Sequence, residues 1–138
     1  MSVRIYLAAR YSRRAEMQTY AEDLIAAGCT ITSRWIYGSH QISDEGLSLE
    51  ATAIDRRRFA EEDYADLISA DICISFTEPP RSTNSRGGRH VELGIALGTG
   101  KQCIVVGHRE NVFHCLPDVA FYATWVEART ALHVLAGE

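Results

Sequence analysis

The chain alternates short apolar segments with longer segments of helical periodicity, and this alternation limits the folds open to it. Strand patterns run from Val3 to Ala8, Thr30 to Ile36, Ile72 to Phe76 and Gln102 to Val106, with a short fifth candidate from Ala120 to Ala123. Helical patterns end near Ala27, Ser69, Thr99 and Leu135. Because strands that alternate with helices favour a parallel sheet covered on both faces, we predict an α/β fold of about five parallel strands.

Length and composition are those of one globular domain, predicted to span residues 1–138. Hydrophobic residues make up 46% of the chain, and no apolar run approaches the roughly 20 residues of a membrane helix. A net charge of -4 argues against a nucleic-acid polymer as partner. The first residues enter a strand pattern without a leader, so we expect a cytoplasmic protein with reduced cysteines.

The segment from Ile72 to Leu97 carries the strongest functional signal. A strand leads into a polar loop that ends at Gly87 and Gly88, and an apolar helix with Glu92 near its start follows. Backbone amides at a helix N-terminus favour an anion or a carboxylate. Glu92 is therefore predicted to lie in the first helical turn as an ionised, reactive carboxylate.

Ligands of open parallel sheets bind outside the carboxyl ends of the strands. The loops predicted at that edge are rich in arginines that can contact anions: Arg10, Arg13, Arg34, Arg81, Arg86 and Arg89. We therefore expect a site for a polar small molecule, either with or without a phosphate group.

Several familiar sites are excluded by spacing. The Gly100-Lys101 pair has no Gly five residues before it, and it lacks the Ser or Thr of a phosphate loop after it. No dinucleotide-binding glycine motif follows the first strand, and no Gly-x-Ser-x-Gly motif is present. Acids of the receiver-domain type do not end the first strand. His108, His114 and Cys115 lack paired metal-ligand spacing, so no metal site is predicted.

Two acids remain, Asp63 and Glu92, on helices predicted to flank the third strand. A pair of carboxylates about 5 Å apart is the minimum for cleaving a glycosidic bond with retention. Glu92 suits the nucleophile, and Asp63 suits the group that carries the proton of the leaving group.

Three blocks of this sequence resemble the nucleoside 2-deoxyribosyltransferase family, which includes related nucleoside 5'-monophosphate N-glycosidases. They are residues 5–8 (Ile-Tyr-Leu-Ala), residues 62–71 around Asp63, and residues 88–98 around Glu92. The resemblance implies a flavodoxin-like fold and a covalent deoxyribosyl intermediate on Glu92. It also implies that Tyr6 holds the Glu92 carboxylate and that Asp63 handles the proton of the leaving base. No metal or organic cofactor is needed for such chemistry.

The resemblance also implies a homo-oligomer, in which the loop from Arg109 to His114 reaches a neighbouring site through Asn111 and Phe113. Trp35 is the candidate stacking ring for the base, and Arg10 is a candidate anion contact. A 5'-phosphate is predicted to lie beside the amides of Gly87 and Gly88, with side-chain contacts from Ser82, Ser85, Arg86 and Arg89. Transfer to another base, hydrolysis, and a nucleotide-binding module without turnover all stay open, as does the preferred base.

Overall fold

The computed structural model describes residues 2–38, 49–83 and 87–135. Within these residues, five strands form a parallel sheet: β1 (Arg4–Ala8), β2 (Thr30–Ile31), β3 (Ile72–Phe76), β4 (Gln102–Val106) and β5 (Val119–Tyr122). The main helices are α1 (Arg14–Ala26), α2 (Leu49–Ile68), α3 (Gly88–Gly98) and α4 (Trp125–Leu135). Short 3₁₀ helices cover Tyr11–Arg13, Arg34–Tyr37 and Val112–Cys115.

The strand order is β2-β1-β3-β4-β5, and all four pairings are parallel. This is the doubly wound order of flavodoxin-like folds, so the predicted fold class is confirmed. The chain leaves β1 in one direction to form β2 and returns to the other side of β1 to form β3. The point at which strand order reverses therefore lies between β1 and β3, where such folds bind ligands.

Helices cover both faces of the sheet. On one face, the ring of Phe76 in β3 packs 5.3 Å from Tyr20 of α1 and 5.8 Å from Trp125 of α4, measured between ring centroids. Cys73 lies three residues earlier in β3, so its side chain is on the opposite face, as is that of its register partner Tyr6. Helix α3 covers this second face, where Tyr6 contacts Glu92, and α2 packs beside α3.

The second strand is shorter than predicted. The pattern from Thr30 to Ile36 predicts a full strand, but β2 ends at Ile31 and a 3₁₀ helix begins at Arg34. The strand ends early because side chains, rather than the backbone of β2, bind the backbone of Leu7 in β1. The amide of Leu7 donates to Ser33 Oγ at 3.1 Å, and its carbonyl accepts from Trp35 Nε1 at 2.7 Å. Because these side chains satisfy the polar groups of Leu7, the β2 backbone is not needed there.

The ends of β3 and β4 are held close together. The backbone at Gly107, directly after β4, has a φ of +117°, and a Cβ there would lie 3.1 Å from Thr77 Oγ1. Thr77 also accepts a hydrogen bond from the amide of His108 at 2.6 Å. A glycine is therefore required at position 107, and the loops that follow β3 and β4 start side by side.

Among the residues described, no helix combines the length and apolar character needed to cross a membrane.

Candidate active site

The candidate site lies where α3 begins, at the carboxyl edge of the sheet. Gly87 caps the helix with a φ of +82°, a left-handed conformation that favours glycine, and Gly88 is the first helical residue. Among the residues that the structure describes, none lies within 4 Å of a Cβ built at Gly88. The helix thus begins at the glycine pair, as predicted. Ser85 and Arg86, predicted as phosphate contacts, lie outside the described residues.

Glu92 is the fifth residue of α3, and the first turn holds no acid. The prediction that Glu92 lies in the first turn is therefore wrong, because the helix begins at Gly88. A helix dipole acts mainly within the first turn, so it gives this carboxylate less support than expected. The placement instead points the side chain inward, over the sheet.

Tyr6 and Glu92 are in direct contact. Tyr6 is fully buried in β1, and its hydroxyl donates a hydrogen bond to Glu92 Oε2. This is the contact that the family resemblance implied. Strand β1 thus supplies a rigid donor that orients the carboxylate, while the catalytic roles of both residues stay predictions.

The protonation state of Glu92 differs from the sequence-based expectation. Burial raises the pKa of Glu92 to about 8; the hydrogen bond from Tyr6 opposes that rise, and the negative charge of Asp63 adds to it. Burial likewise raises the pKa of Tyr6, with further contributions from Glu92 and Asp63. The pKa of Glu92 is thus shifted in the direction opposite to that expected for an ionised carboxylate, because burial disfavours the charged form.

Asp63 lies on α2, close enough to the pair for its charge to act on the pKa of both Tyr6 and Glu92. The structure thus brings together all three predicted catalytic residues. Two carboxyl groups and a phenol placed near one another can, in chemical terms, offer a nucleophile, a proton carrier and a positioning donor.

One turn after Asp63, Asp66 has a role that the sequence did not reveal. An acid-rich helix face predicts solvated charge, but Asp66 is buried and accepts hydrogen bonds from the backbone amide and Nε of Arg34, with the Nη2 of Arg34 2.9 Å away. The charge of Asp63 also acts on Arg34. Asp66 therefore fixes the 3₁₀ helix that follows β2 against the helix that carries Asp63.

Trp35 is placed differently from the base platform that was predicted. Its side chain is 6% exposed, and its indole N–H is committed to the Leu7 carbonyl. This placement favours packing over stacking on a base. The ring of Tyr11 lies 6.4 Å away and is half-buried, so it is the more accessible aromatic side chain here. The sequence analysis did not single out Tyr11.

Three of the six candidate anion-binding arginines are paired with acids. Arg13 contacts Glu16 and Glu78, Arg34 contacts Asp66, and Arg89 contacts Glu110. Arg89, predicted to contact phosphate, is 3% exposed and is committed to Glu110 at 2.6 Å. Arg10 and Arg81 form no ion pair within the described part of the chain, and Arg81 has a φ of 63° that a side-chain-bearing residue rarely adopts. These two arginines stay candidates for an anion.

The loop after β4 has a defined internal structure. Asn111 caps the 3₁₀ helix Val112–Cys115, and its Oδ1 accepts from the amide of Phe113 at 2.9 Å. Val112 and Phe113 are 77% and 63% exposed. The side chain of Asn111 thus has a structural use in the single chain, while Phe113 projects outward. Contact with a neighbouring subunit stays a prediction.

Within the described residues, no group of three or more His, Cys, Asp and Glu side chains is arranged to hold a metal ion. His114 is buried, and its Nδ1 accepts from the amides of Glu110 and Asn111, so this histidine serves the loop.

Comparison with known proteins gives structural likeness only. No family model matches the sequence, and no curated protein sequence matches it significantly. A 2-deoxyribosyltransferase from Bacillus psychrosaccharolyticus has a similar structure, with a TM-score of 0.66 and 19% identity over 92% of this chain and 90% of that chain. The CMP N-glycosidase BcmB from Clostridium botulinum gives 0.56 and 20% over 95% and 98%. A conserved protein from Enterococcus faecalis V583 gives 0.53 and 13% over 98% and 88%. At these identities the likeness establishes a shared fold.

Proposed function

We propose that this chain is an enzyme that cleaves the N-glycosidic bond of a 2'-deoxynucleoside or its 5'-monophosphate and passes the sugar to another nucleobase. The observation that carries the proposal is the hydrogen bond from Tyr6 to Glu92, with the charge of Asp63 close to both. The likeness in fold to a 2-deoxyribosyltransferase and a CMP N-glycosidase supports the same class of reaction.

In the first step, the ionised carboxylate of Glu92 attacks the anomeric carbon while the bond from that carbon to the base nitrogen breaks. The electron pair of that bond goes to the base, and Asp63 donates a proton to the departing nitrogen. A deoxyribosyl ester on Glu92 results. In the second step an acceptor base attacks the same carbon, Glu92 leaves, and Asp63 takes up the proton of the acceptor. No cofactor takes part in either step.

Glu92 must lose its proton before it can attack, and a substrate that brings positive charge density near the carboxyl group favours that loss by lowering its pKa. Tyr6 supports this change, because its hydroxyl stabilises the carboxylate form. The burial that raises the pKa of Glu92 also limits the access of water to its carboxyl group. Such shelter favours a covalent intermediate that survives until a base arrives.

Hydrolysis of a 2'-deoxynucleoside 5'-monophosphate is the second candidate function. Arg10 and Arg81 are not ion-paired within the described residues, which leaves cations for a phosphate. The same Glu92 and Asp63 serve if water replaces the acceptor base. A nucleotide-binding module without turnover is the candidate from another class.

We further propose that the chain acts as a homo-oligomer, in which the loop from Arg109 to His114 reaches a neighbouring site. The outward projection of Val112 and Phe113 supports this assignment.

One substrate panel tests these functions together. The protein is incubated with deoxynucleosides and their 5'-monophosphates, with and without a second base, and the products are separated by chromatography. A new nucleoside that forms only with the acceptor base supports the transferase. Release of free base without an acceptor supports the hydrolase, and tight binding without any product supports the module.

A further inference from the structure

Glu110, in the loop after β4, joins segments that surround the candidate site. Its Oε2 accepts a hydrogen bond from Arg89 Nη2 at 2.6 Å and lies 3.4 Å from His90 Nε2, and both partners belong to the first turn of α3. Its Oε1 accepts from the backbone amide of Glu78 at 3.1 Å, in the loop after β3. The Arg89 side chain is 2% exposed and that of Glu110 is 12% exposed, so the ion pair is sheltered from water. Charge-assisted bonds of this kind are stronger than neutral ones.

The backbone of Glu110 holds the loop that carries Asn111. The Glu110 amide donates to His114 Nδ1 at 2.9 Å, and the Asn111 amide donates to the same nitrogen at 3.3 Å. Burial lowers the pKa of His114, with a further contribution from the nearby His90, so the ring is neutral and its Nδ1 can accept. Glu110 thus binds α3 through its side chain and the 3₁₀ helix of its own loop through its backbone.

Glu78, whose amide binds Glu110, also connects the loop after β3 to the start of α1. The carboxylate of Glu78 pairs with Arg13 at 2.9 Å. Arg13 also donates to the carbonyl of Thr77 at 3.2 Å and pairs with Glu16. The loops after β1, β3 and β4 are therefore linked through side chains, and Glu110 is the member of this network that contacts α3.

The charge of Glu110 is maintained at neutral pH. Burial alone would raise the pKa of this carboxyl, but the hydrogen bonds from Arg89 and from the Glu78 amide, together with the charges of Arg89 and His90, lower it. The negative charge balances a guanidinium that is buried in the first turn of α3. Removing that charge would take from the buried guanidinium of Arg89 the ion pair that joins it to the loop after β4.

We propose that Glu110 is a positioning residue that fixes α3, and with it Glu92, relative to the loop carrying Asn111 and Phe113. This inference rests on the proposed function, since it concerns the geometry of the same reaction. Glu110 touches no reacting atom in this account. It acts because Glu92 lies one turn beyond Arg89 on the same helix, and a displacement of about 1 Å at a reacting group can cost about a hundredfold in rate.

The test compares Glu110→Gln with Glu110→Asp. The Gln variant keeps the acceptor for the Glu78 amide and removes the charge that Arg89 requires, whereas the Asp variant keeps the charge. We expect Glu110→Gln to lower kcat about 10- to 100-fold with less than a threefold change in KM. Glu110→Asp should recover at least part of that loss. The rate at which a 2'-fluoro substrate analogue labels Glu92, measured per folded molecule, should fall in parallel with kcat.

Asp23→Asn is the matched control. Asp23 accepts from Trp125 Nε1 at 3.1 Å and lies 3.3 Å from Arg129, on the face of the sheet opposite α3. The control variant weakens an ion pair that is longer and more exposed, and it should unfold at a lower temperature with unchanged kcat. If Glu110→Gln behaves in the same way, with normal kcat and labelling rate, Glu110 is only structural and the proposal is wrong.

Two further measurements test the role of Glu110 if the Gln variant fails to fold or if the protein turns over no substrate. If Glu110→Gln fails to fold, the double variant Arg89→Met with Glu110→Met leaves no charge unpaired and should fold. Because Met has no oxygen to accept the hydrogen bond from the Glu78 amide and makes no directional bond to α3, kcat should still fall. Wild-type kcat in that variant would overturn the proposal. Hydrogen exchange of residues 88–92 and 109–115 does not depend on activity. Faster exchange in both segments of Glu110→Gln would show that Glu110 holds α3 and the loop after β4 together. If the wild-type protein turns over no substrate but the variant shows this faster exchange, only the proposed function has failed.

Discussion

The hydroxyl of Tyr6 donates a hydrogen bond to Glu92 Oε2, and this contact joins strand β1 to α3, which begins at the carboxyl edge of the sheet. Tyr6 is fully buried and cannot turn toward solvent. The strand therefore presents a fixed donor to a carboxyl group whose own surroundings favour the protonated state. A neutral acid can become a nucleophile here only with help from Tyr6 and from the substrate.

Replacing Tyr6 with Phe should slow the reaction without unfolding the protein. The aromatic ring stays in the core, but Glu92 loses a hydrogen bond to its charged form, which contributes about 1.5 to 3 kcal/mol. We expect kcat to fall about 10- to 100-fold, measured by release of base at saturating substrate. Tyr20→Phe is the control, because the Tyr20 hydroxyl donates to Glu16 at 2.6 Å on the other face of the sheet. An equal loss of kcat in both variants would contradict the assigned role of Tyr6.

Titration of Glu92 can be observed directly by carbon NMR of labelled side-chain carboxyl groups. We expect one glutamate signal, absent from Glu92→Gln, to titrate with a midpoint of about 8. Asp63→Asn should lower that midpoint, because a negative charge near Glu92 is removed. Tyr6→Phe should raise it, because a donor to the carboxylate is lost. A Glu92 signal that titrates near 4.5, the ordinary value for this side chain, would show that burial does not control its state.

The strands β3 and β4 could be predicted to the residue, because both are short runs in which only Ser75 and Gln102 are polar. The end of β2 could not. The pattern of Thr30 to Ile36 fits a strand, but Ser33 and Trp35 bind the backbone of Leu7 through their side chains, and such bonds depend on tertiary packing.

The candidate site, too, could be predicted only in part. The association of Tyr6, Asp63 and Glu92 could be predicted from motif resemblance. The pairing of Arg89 with Glu110 could not be predicted, because it joins residues 21 positions apart in the sequence. Arg89, predicted to contact phosphate, is instead part of an ion pair within the protein. The pKa of Glu92 could not be predicted either, because desolvation depends on how deeply α3 packs against β1.

Stability should depend on pH through Glu92. Its pKa is about 8 in the folded protein and near 4.5 when unfolded, so the unfolded state binds fewer protons between these values. The contribution of Glu92 to stability is therefore full below pH 4.5 and is lost as pH rises through 8. Glu92→Gln removes this dependence. Relative to wild type, it should gain up to about 3 kcal/mol between pH 5 and pH 7 in urea unfolding. The exposed Glu61→Gln should follow wild type at every pH.

Asp63→Asn should affect substrates according to how much their base needs a proton in order to leave. For ordinary deoxynucleosides, loss of a general acid lowers the rate about 10²- to 10⁴-fold. For 7-methyl-2'-deoxyguanosine, whose base already carries a positive charge and departs neutral, the rate should fall less than tenfold, because Glu92 alone is sufficient. The ratio of the two rates, measured by base release, is the informative quantity. Glu61→Gln on the same helix leaves this ratio unchanged, since Glu61 pairs with Arg57 at the surface. If Asp63→Asn slows both substrates equally, Asp63 does not deliver the proton, and another group must be sought near the carboxyl ends of β1 and β3.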